Sequence, residues 1–159
     1  MKLSADWRTE IQDMWGIQIL ESIECAPQGA LWTTRCSKTK SDVARGRPKD
    51  FYVSPVNKFF YRWAEEQGVR YGVLSDKYGL HLDDEELEHY DLHPSVLTVS
   101  DKQRLGRLIQ QKASEAGFDS VVFYSPSPLM SVPYFEMLCY SGLEIFYTTR
   151  LGFSAKCLD

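Results

Sequence analysis

Nothing in this chain approaches the roughly 20 consecutive apolar residues that cross a bilayer. Its first residues, MKLSADWRTEIQ, are too polar for a secretory signal. A cytoplasmic location with no membrane partner is therefore expected. Cysteine is sparse: Cys25, Cys36, Cys139 and Cys157 form no C-x-x-C pair, which argues against structural zinc and a disulfide framework and leaves reduced thiols as the expectation. Histidine is rarer still. His81, His89 and His93 lie beside an acidic run, but Pro94 follows and no metal motif is present, so neither a metal nor another cofactor is expected. The Walker loop, G-x-G-x-x-G and G-x-S-x-G are also missing, which argues against a P-loop NTPase, a dinucleotide enzyme and an α/β-hydrolase. A net charge of −4 argues against a general binder of polyanions.

What is present fits one globular domain. The 159 residues are 43% hydrophobic, 25% charged and 13% aromatic, enough to bury a core and leave rings for stacking. The charge is unevenly spread. Residues 35–49 carry six basic side chains against Asp42, a window of +5, so the remainder is −9. Such a loop is either a local anion site or a solvated segment, and Arg45, Arg47 and Lys49 are its candidate phosphate contacts.

Periodicity and punctuation predict alternating helices and strands. A first helix follows Ser4, and residues 17–23 read as either strand or helix. Ala30–Thr34, Tyr71–Leu74 and Ser120–Tyr124 are short apolar runs expected as buried strands, with Glu144–Thr148 as the last. Ser54-Pro55 opens a helix with Val56, Phe59, Phe60 and Trp63 on its apolar face, and Gly68 ends it. A long helix is expected from Asp101 to Ala116, and another over Phe135–Tyr140. Residues 35–49 read as loop, and the acidic run 83–88 as a short helix or loop. This order predicts an α/β fold: a three-layer α/β/α sandwich with a mainly parallel sheet, one domain over 1–159, with a lead-in over 1–29 and a core over 30–150.

Two of the apolar runs end in reactive or cationic clusters, the pattern of a site at the carboxyl ends of parallel strands. After the first come Cys36, Ser37 and Lys40; after the second come Ser75, Lys77 and Tyr78. A thiol beside cations has its thiolate favoured, as a nucleophile requires, although a strand-end Cys can also pack as a small hydrophobe. Tyr78 and Lys77 suit a planar, anionic ligand, or else form a plain strand-to-loop turn.

The ordered motifs carry a resemblance. C-x-x-x-K, D-F-Y-x-S-P, W-A-E-x-x-G, L-S-x-K-Y-G-L and Y-D resemble an uncharacterised bacterial and archaeal domain family, from about Ala30 to Asp91, with weaker agreement through Leu138. Asp76 stands where that family usually has Ala. Two further likenesses are distant. Cys36 and Lys40 match the Cys and Lys of the archaeosine synthase core domain. Ser37–Lys40 and Leu74–Leu80 match motifs of YaaA-type peroxide-stress proteins. Both imply nucleic acid or modified nucleobases as the partner.

The expected site comprises Cys36, Lys40 and Asp91 as catalytic residues, with Ser37, Ser54, Ser75, Lys77, Tyr78, Arg45, Arg47 and Lys49 as ligand contacts. The expected function is binding a nucleobase or nucleotide and modifying it, with Cys36 adding to an electrophilic carbon such as a 7-deazaguanine nitrile and Asp91 orienting it or accepting a proton. A non-catalytic nucleic-acid-binding protein of stress defence, or a structural partner in a modification complex, stands as the alternative.

Overall fold

The computed structural model describes residues 2–92 and 96–152. In chain order the elements are α1 (Trp7–Trp15), β1 (Gln18–Ile19), β2 (Leu31–Arg35), β3 (Arg45–Gly46), α2 (Pro48–Phe51), α3 (Pro55–Gln67), β4 (Tyr71–Ser75), β5 (Gly79–Leu82), β6 (Leu87–Glu88), α4 (Val99–Glu115), β7 (Ser120–Tyr124), α5 (Val132–Ser141) and β8 (Glu144–Thr148). Among the described residues no helix is long and apolar enough to cross a membrane.

The protein is an α/β fold built on a mainly parallel six-stranded sheet in the order β1-β8-β7-β2-β4-β5. Every residue of β4 and β7 is buried, as parallel strands covered on both faces require, and this is why they read as unbroken apolar runs. β5 is the antiparallel exception, pairing Ser75 with Gly79 across a tight turn. Sequence reading saw only a turn there, because Gly79-Leu80-His81-Leu82 is short and carries a buried histidine. Gly79 has φ +75°, and a Cβ on it would lie 2.8 Å from the Leu105 carbonyl oxygen, so β5 meets α4 at backbone distance.

Other boundaries moved for identifiable reasons. α1 starts after Asp6, while Ser4 bonds the Glu10 carboxylate. The segment before residue 30 is more than a lead-in, since β1 pairs with β8 at the sheet edge. α4 begins at Val99, because Thr98 and Asp101 form a capping box: Thr98 Oγ1 accepts the Asp101 N–H at 3.1 Å, and Asp101 accepts the Thr98 N–H at 2.8 Å. α5 likewise starts before Phe135. On α3 the buried face is Asn57, Phe60, Tyr61 and Ala64, leaving Val56 and Phe59 exposed. The acidic run forms turns and β6, and β6 pairs with β3 from the basic segment. Cys25 is disulfide-bonded, against the expectation of reduced thiols, whereas Cys36 and Cys139 are free. Cys157 and His93 lie outside the described residues.

The strand order decides where a ligand can sit. From β2 the chain moves through α3 to β4 on one side, then through α4 to β7 on the other side of β2. The winding reverses at β2, and loops leaving the carboxyl ends of β2 and β7 diverge there. An open α/β sheet has its crevice at such a reversal.

Candidate functional site

The end of β2 is held from two directions. The Cys36 N–H donates to the Leu74 carbonyl at 2.9 Å, carrying the pairing with β4 one residue past the strand. The buried Asn57 of α3 donates from Nδ2 to the Arg35 carbonyl at 3.0 Å. Ser54, expected at the ligand, instead caps α3: its Oγ accepts the Asn57 N–H at 3.3 Å, and so fixes the residue that pins β2.

Beyond Arg35 the chain lines a cleft of about 930 Å³ at the carboxyl ends of β2, β4 and β7. Arg35, Cys36, Ser37, Lys38 and Lys40 are part of the lining, and Asp76 and Asp91 add carboxylates. Leu92, Leu97, Leu129, Met130 and Val132 supply the apolar part of the lining. Lys102 of α4 and Glu136 of α5, paired at 3.1 Å, also line it.

Cys36 lies at the inner end of this cleft. Its Sγ is 3.4 Å from Asp76 Oδ2 and 3.3 Å from Tyr134 Oη. Burial pushes the Cys36 thiol up to about 11, the Asp76 carboxylate adds to that, and the Tyr134 and Tyr90 hydroxyls oppose it. The expectation that neighbouring cations favour the thiolate therefore does not hold. The Lys40 ammonium stands 4.8 Å over the Tyr90 ring, and Lys38 is exposed. Near neutral pH Cys36 is therefore a thiol whose hydrogen is within reach of Asp76 Oδ2.

Behind the sulfur is a buried polar group set. Ser75 Oγ donates to Tyr90 Oη at 2.8 Å; Tyr90 and Tyr52 hydroxyls are 3.1 Å apart; Tyr52 Oη is 3.4 Å from His81 Nδ1. Burial pushes both phenols up and His81 down, so all three are neutral near pH 7.

Of the expected residues, Cys36, Ser37, Lys40 and Asp91 line the cleft. Ser75 lies behind it. Tyr78 leaves the same end of the sheet but turns away, donating to the Glu88 carbonyl at 2.8 Å, and Lys77 is exposed over the Tyr78 ring. Arg45, Arg47 and Lys49 are outside the cleft: Arg45 lies opposite Glu88 in the β3–β6 pair, Arg47 caps α2 through Asp50, and Lys49 pairs with Glu65 at 2.7 Å. Sequence reasoning missed Asp76, Tyr134, Tyr52 and His81 as neighbours of Cys36 or of its partners. Asp76 was visible, as the acid that departs from the usual Ala in L-S-x-K-Y-G-L. Nothing in the sequence marks Tyr134 among nine tyrosines.

The chain belongs to a family of unknown function (DUF6884), matched over residues 34–130. That span holds the motifs quoted above and every expected site residue. No curated protein and no solved structure matches the chain, so the likenesses to the archaeosine synthase core domain and to YaaA-type proteins gain no support.

Proposed function

We propose that this protein binds a nucleobase or nucleotide and modifies it through Cys36. The observation that carries the reading is the 3.4 Å approach of Cys36 Sγ to Asp76 Oδ2 inside the cleft. With an electrophilic carbon placed at the sulfur, an S–C bond forms as the thiol proton passes to Asp76. For a nitrile on a 7-deazaguanine, the nitrile nitrogen then takes a proton and a thioimidate results. The lining suits such a ligand. Leu129, Met130 and Val132 offer an apolar face for a planar base, and Arg35, Lys38 and Lys40 offer charge for a phosphate. The three-layer α/β/α sandwich is part of this proposal; it is supported by α3 packing on β2 while α4 packs on α5 and α1 on α5.

The test is incubation of the protein with a panel of bases and nucleotides that includes a 7-deazaguanine nitrile, read by mass spectrometry of the Cys36 peptide. The expected result is an adduct that Cys36→Ala lacks. Neither adduct nor binding by any member of the panel would end the proposal.

A second reading, non-catalytic nucleic-acid binding, is favoured by the exposure of Arg45, Arg47 and Lys49 outside the cleft. It predicts salt-dependent binding of DNA or RNA that survives Cys36→Ala.

A further inference from the structure

The sulfur of Cys36 has two polar neighbours and one hydrogen. Asp76 Oδ2, in the turn after β4, is 3.4 Å away, and Tyr134 Oη, on the first turn of α5, is 3.3 Å away. A carboxylate only accepts, so the S–H hydrogen goes to Asp76. That leaves one donor for the second contact, and the Tyr134 O–H donates to the sulfur. Burial pushes the Tyr134 phenol far up, so it keeps its hydrogen near neutral pH. Tyr134 is also held from its own side. Ser131, buried just ahead of α5, donates from Oγ to the Ser127 carbonyl at 2.7 Å and meets Ser125 Oγ at 2.8 Å, which ties the start of the helix to the end of β7. The Tyr134 N–H in turn donates to the Ser131 carbonyl at 3.0 Å. Buried in this way, Tyr134 still lines the same cleft as Cys36.

We propose that Tyr134 is a further catalytic residue of the Cys36 site, its hydroxyl donating to the sulfur and holding the negative charge that develops there as the thiol proton leaves. The S–H bond breaks and its proton goes to the Asp76 carboxylate. Its electron pair stays on sulfur and forms the S–C bond with the electrophile. No O–H bond breaks. The Tyr134 hydrogen stays between the same two atoms throughout, weakly bound to a neutral thiol and more strongly to a thiolate. A donor that gains strength only as charge appears lowers the barrier more than it stabilises the resting site. The charged and titratable groups facing the sulfur are Asp76 after β4, Tyr134 on α5, and Tyr52 and Tyr90 behind it, with Arg35, Lys38, Lys40 and Asp91 along the cleft. The inference rests on Cys36 as the reacting group of the proposed function, and it does not depend on which ligand the cleft holds.

The test must separate direct donation from an effect relayed by Asp76. The rate of iodoacetamide alkylation at Cys36 is followed against pH, peptide by peptide, in the full chain without ligand. Tyr134→Phe removes the donor and should raise the pH midpoint by about one unit, labelling then being roughly tenfold slower at fixed pH. The same change made on top of Asp76→Asn should raise the midpoint again, because the donor acts on the sulfur itself. A Tyr134→Phe midpoint that is unchanged or lowered overturns the proposal, and so does a rise that disappears in the Asp76→Asn background. Cys139, farther along α5, should label as before. An equal change at both cysteines would trace the effect to the helix and overturn the proposal. If Tyr134→Phe fails to fold, fluorotyrosine at position 134 decides: it keeps the shape and is the stronger donor, so the midpoint should fall, and a midpoint unchanged or raised overturns the proposal. The expected shifts together with no nucleobase adduct would leave this inference standing and remove only the ligand assignment. An adduct without the shifts would do the reverse.

Discussion

The Cys36 sulfur and the Tyr134 hydroxyl are 3.3 Å apart although 98 residues separate them in the chain. The contact joins the end of β2 to the first turn of α5, across the point where the sheet reverses its winding. It also leaves the thiol with a carboxylate on one side and a hydroxyl on the other, a setting in which the proton stays on sulfur until a partner removes it.

Cys36 should therefore label slowly near neutral pH, more slowly than the exposed Cys139, and should accelerate as pH approaches about 11. Peptide-resolved alkylation rates check this. Rapid labelling of Cys36 at pH 7 would mean that the thiol is not held neutral.

The same group makes stability depend on pH. The folded protein holds the Cys36 proton more tightly than the unfolded chain, whose thiol titrates near the ordinary 9.0. Its contribution is complete below that value and is lost as pH rises toward about 11. The loss should be of the order of 2–3 kcal/mol. Buried tyrosines fall off in the same range, so the measurement is the difference between the protein and Cys36→Ala in urea unfolding. Equal slopes with pH would remove Cys36 from the account.

Asp76→Asn should separate thiol acidity from chemistry. Its charge raises the Cys36 value, so neutralising it should speed alkylation of Cys36. The same change removes the proton acceptor and should abolish adduct formation with the ligand. Slower alkylation, or unaltered adduct formation, would show that Asp76 plays neither part.

Replacing Arg45, Arg47 and Lys49 together by Gln should leave ligand binding in the cleft unchanged, because none of them lines it. Stability should move by no more than about 1 kcal/mol, since the Lys49–Glu65 pair is half exposed on both sides. Calorimetric titration and urea unfolding check both parts. A flattened salt dependence of DNA or RNA binding in this variant would favour the second reading of the function.

Gly106→Ala should destabilise the protein although alanine favours helix by about 1 kcal/mol over glycine. A Cβ there would lie 2.6 Å from Tyr140 Cβ and 2.8 Å from the Met137 carbonyl oxygen, where α4 meets α5. The backbone cannot yield locally, and a net loss of about 1–3 kcal/mol is expected from overpacking. A gain in melting temperature would show that the two helices are less closely packed.

Local pattern determined a great deal of this protein. Apolar runs bounded by glycine and proline specify β2, β4 and β7, and Ser54-Pro55 specifies the start of α3, because strand burial and helix capping act within a few residues. Cys36, Lys40 and Asp91 were legible for the same reason, each lying in a polar cluster near a strand end or in a quoted motif. Tertiary structure alone decided the rest. The β3–β6 pair joins segments far apart in the chain, and β5, a short strand that folds straight back on β4, is fixed by its close approach to α4; no period announces either. The site shows the same division. The type and position of Cys36 are written locally, but its ionisation is set first by burial and then by Asp76 and Tyr134, which reach it from other segments. Desolvation is a property of everything that surrounds a group, so a basic stretch in the sequence pointed to a thiolate where the packed protein holds a thiol.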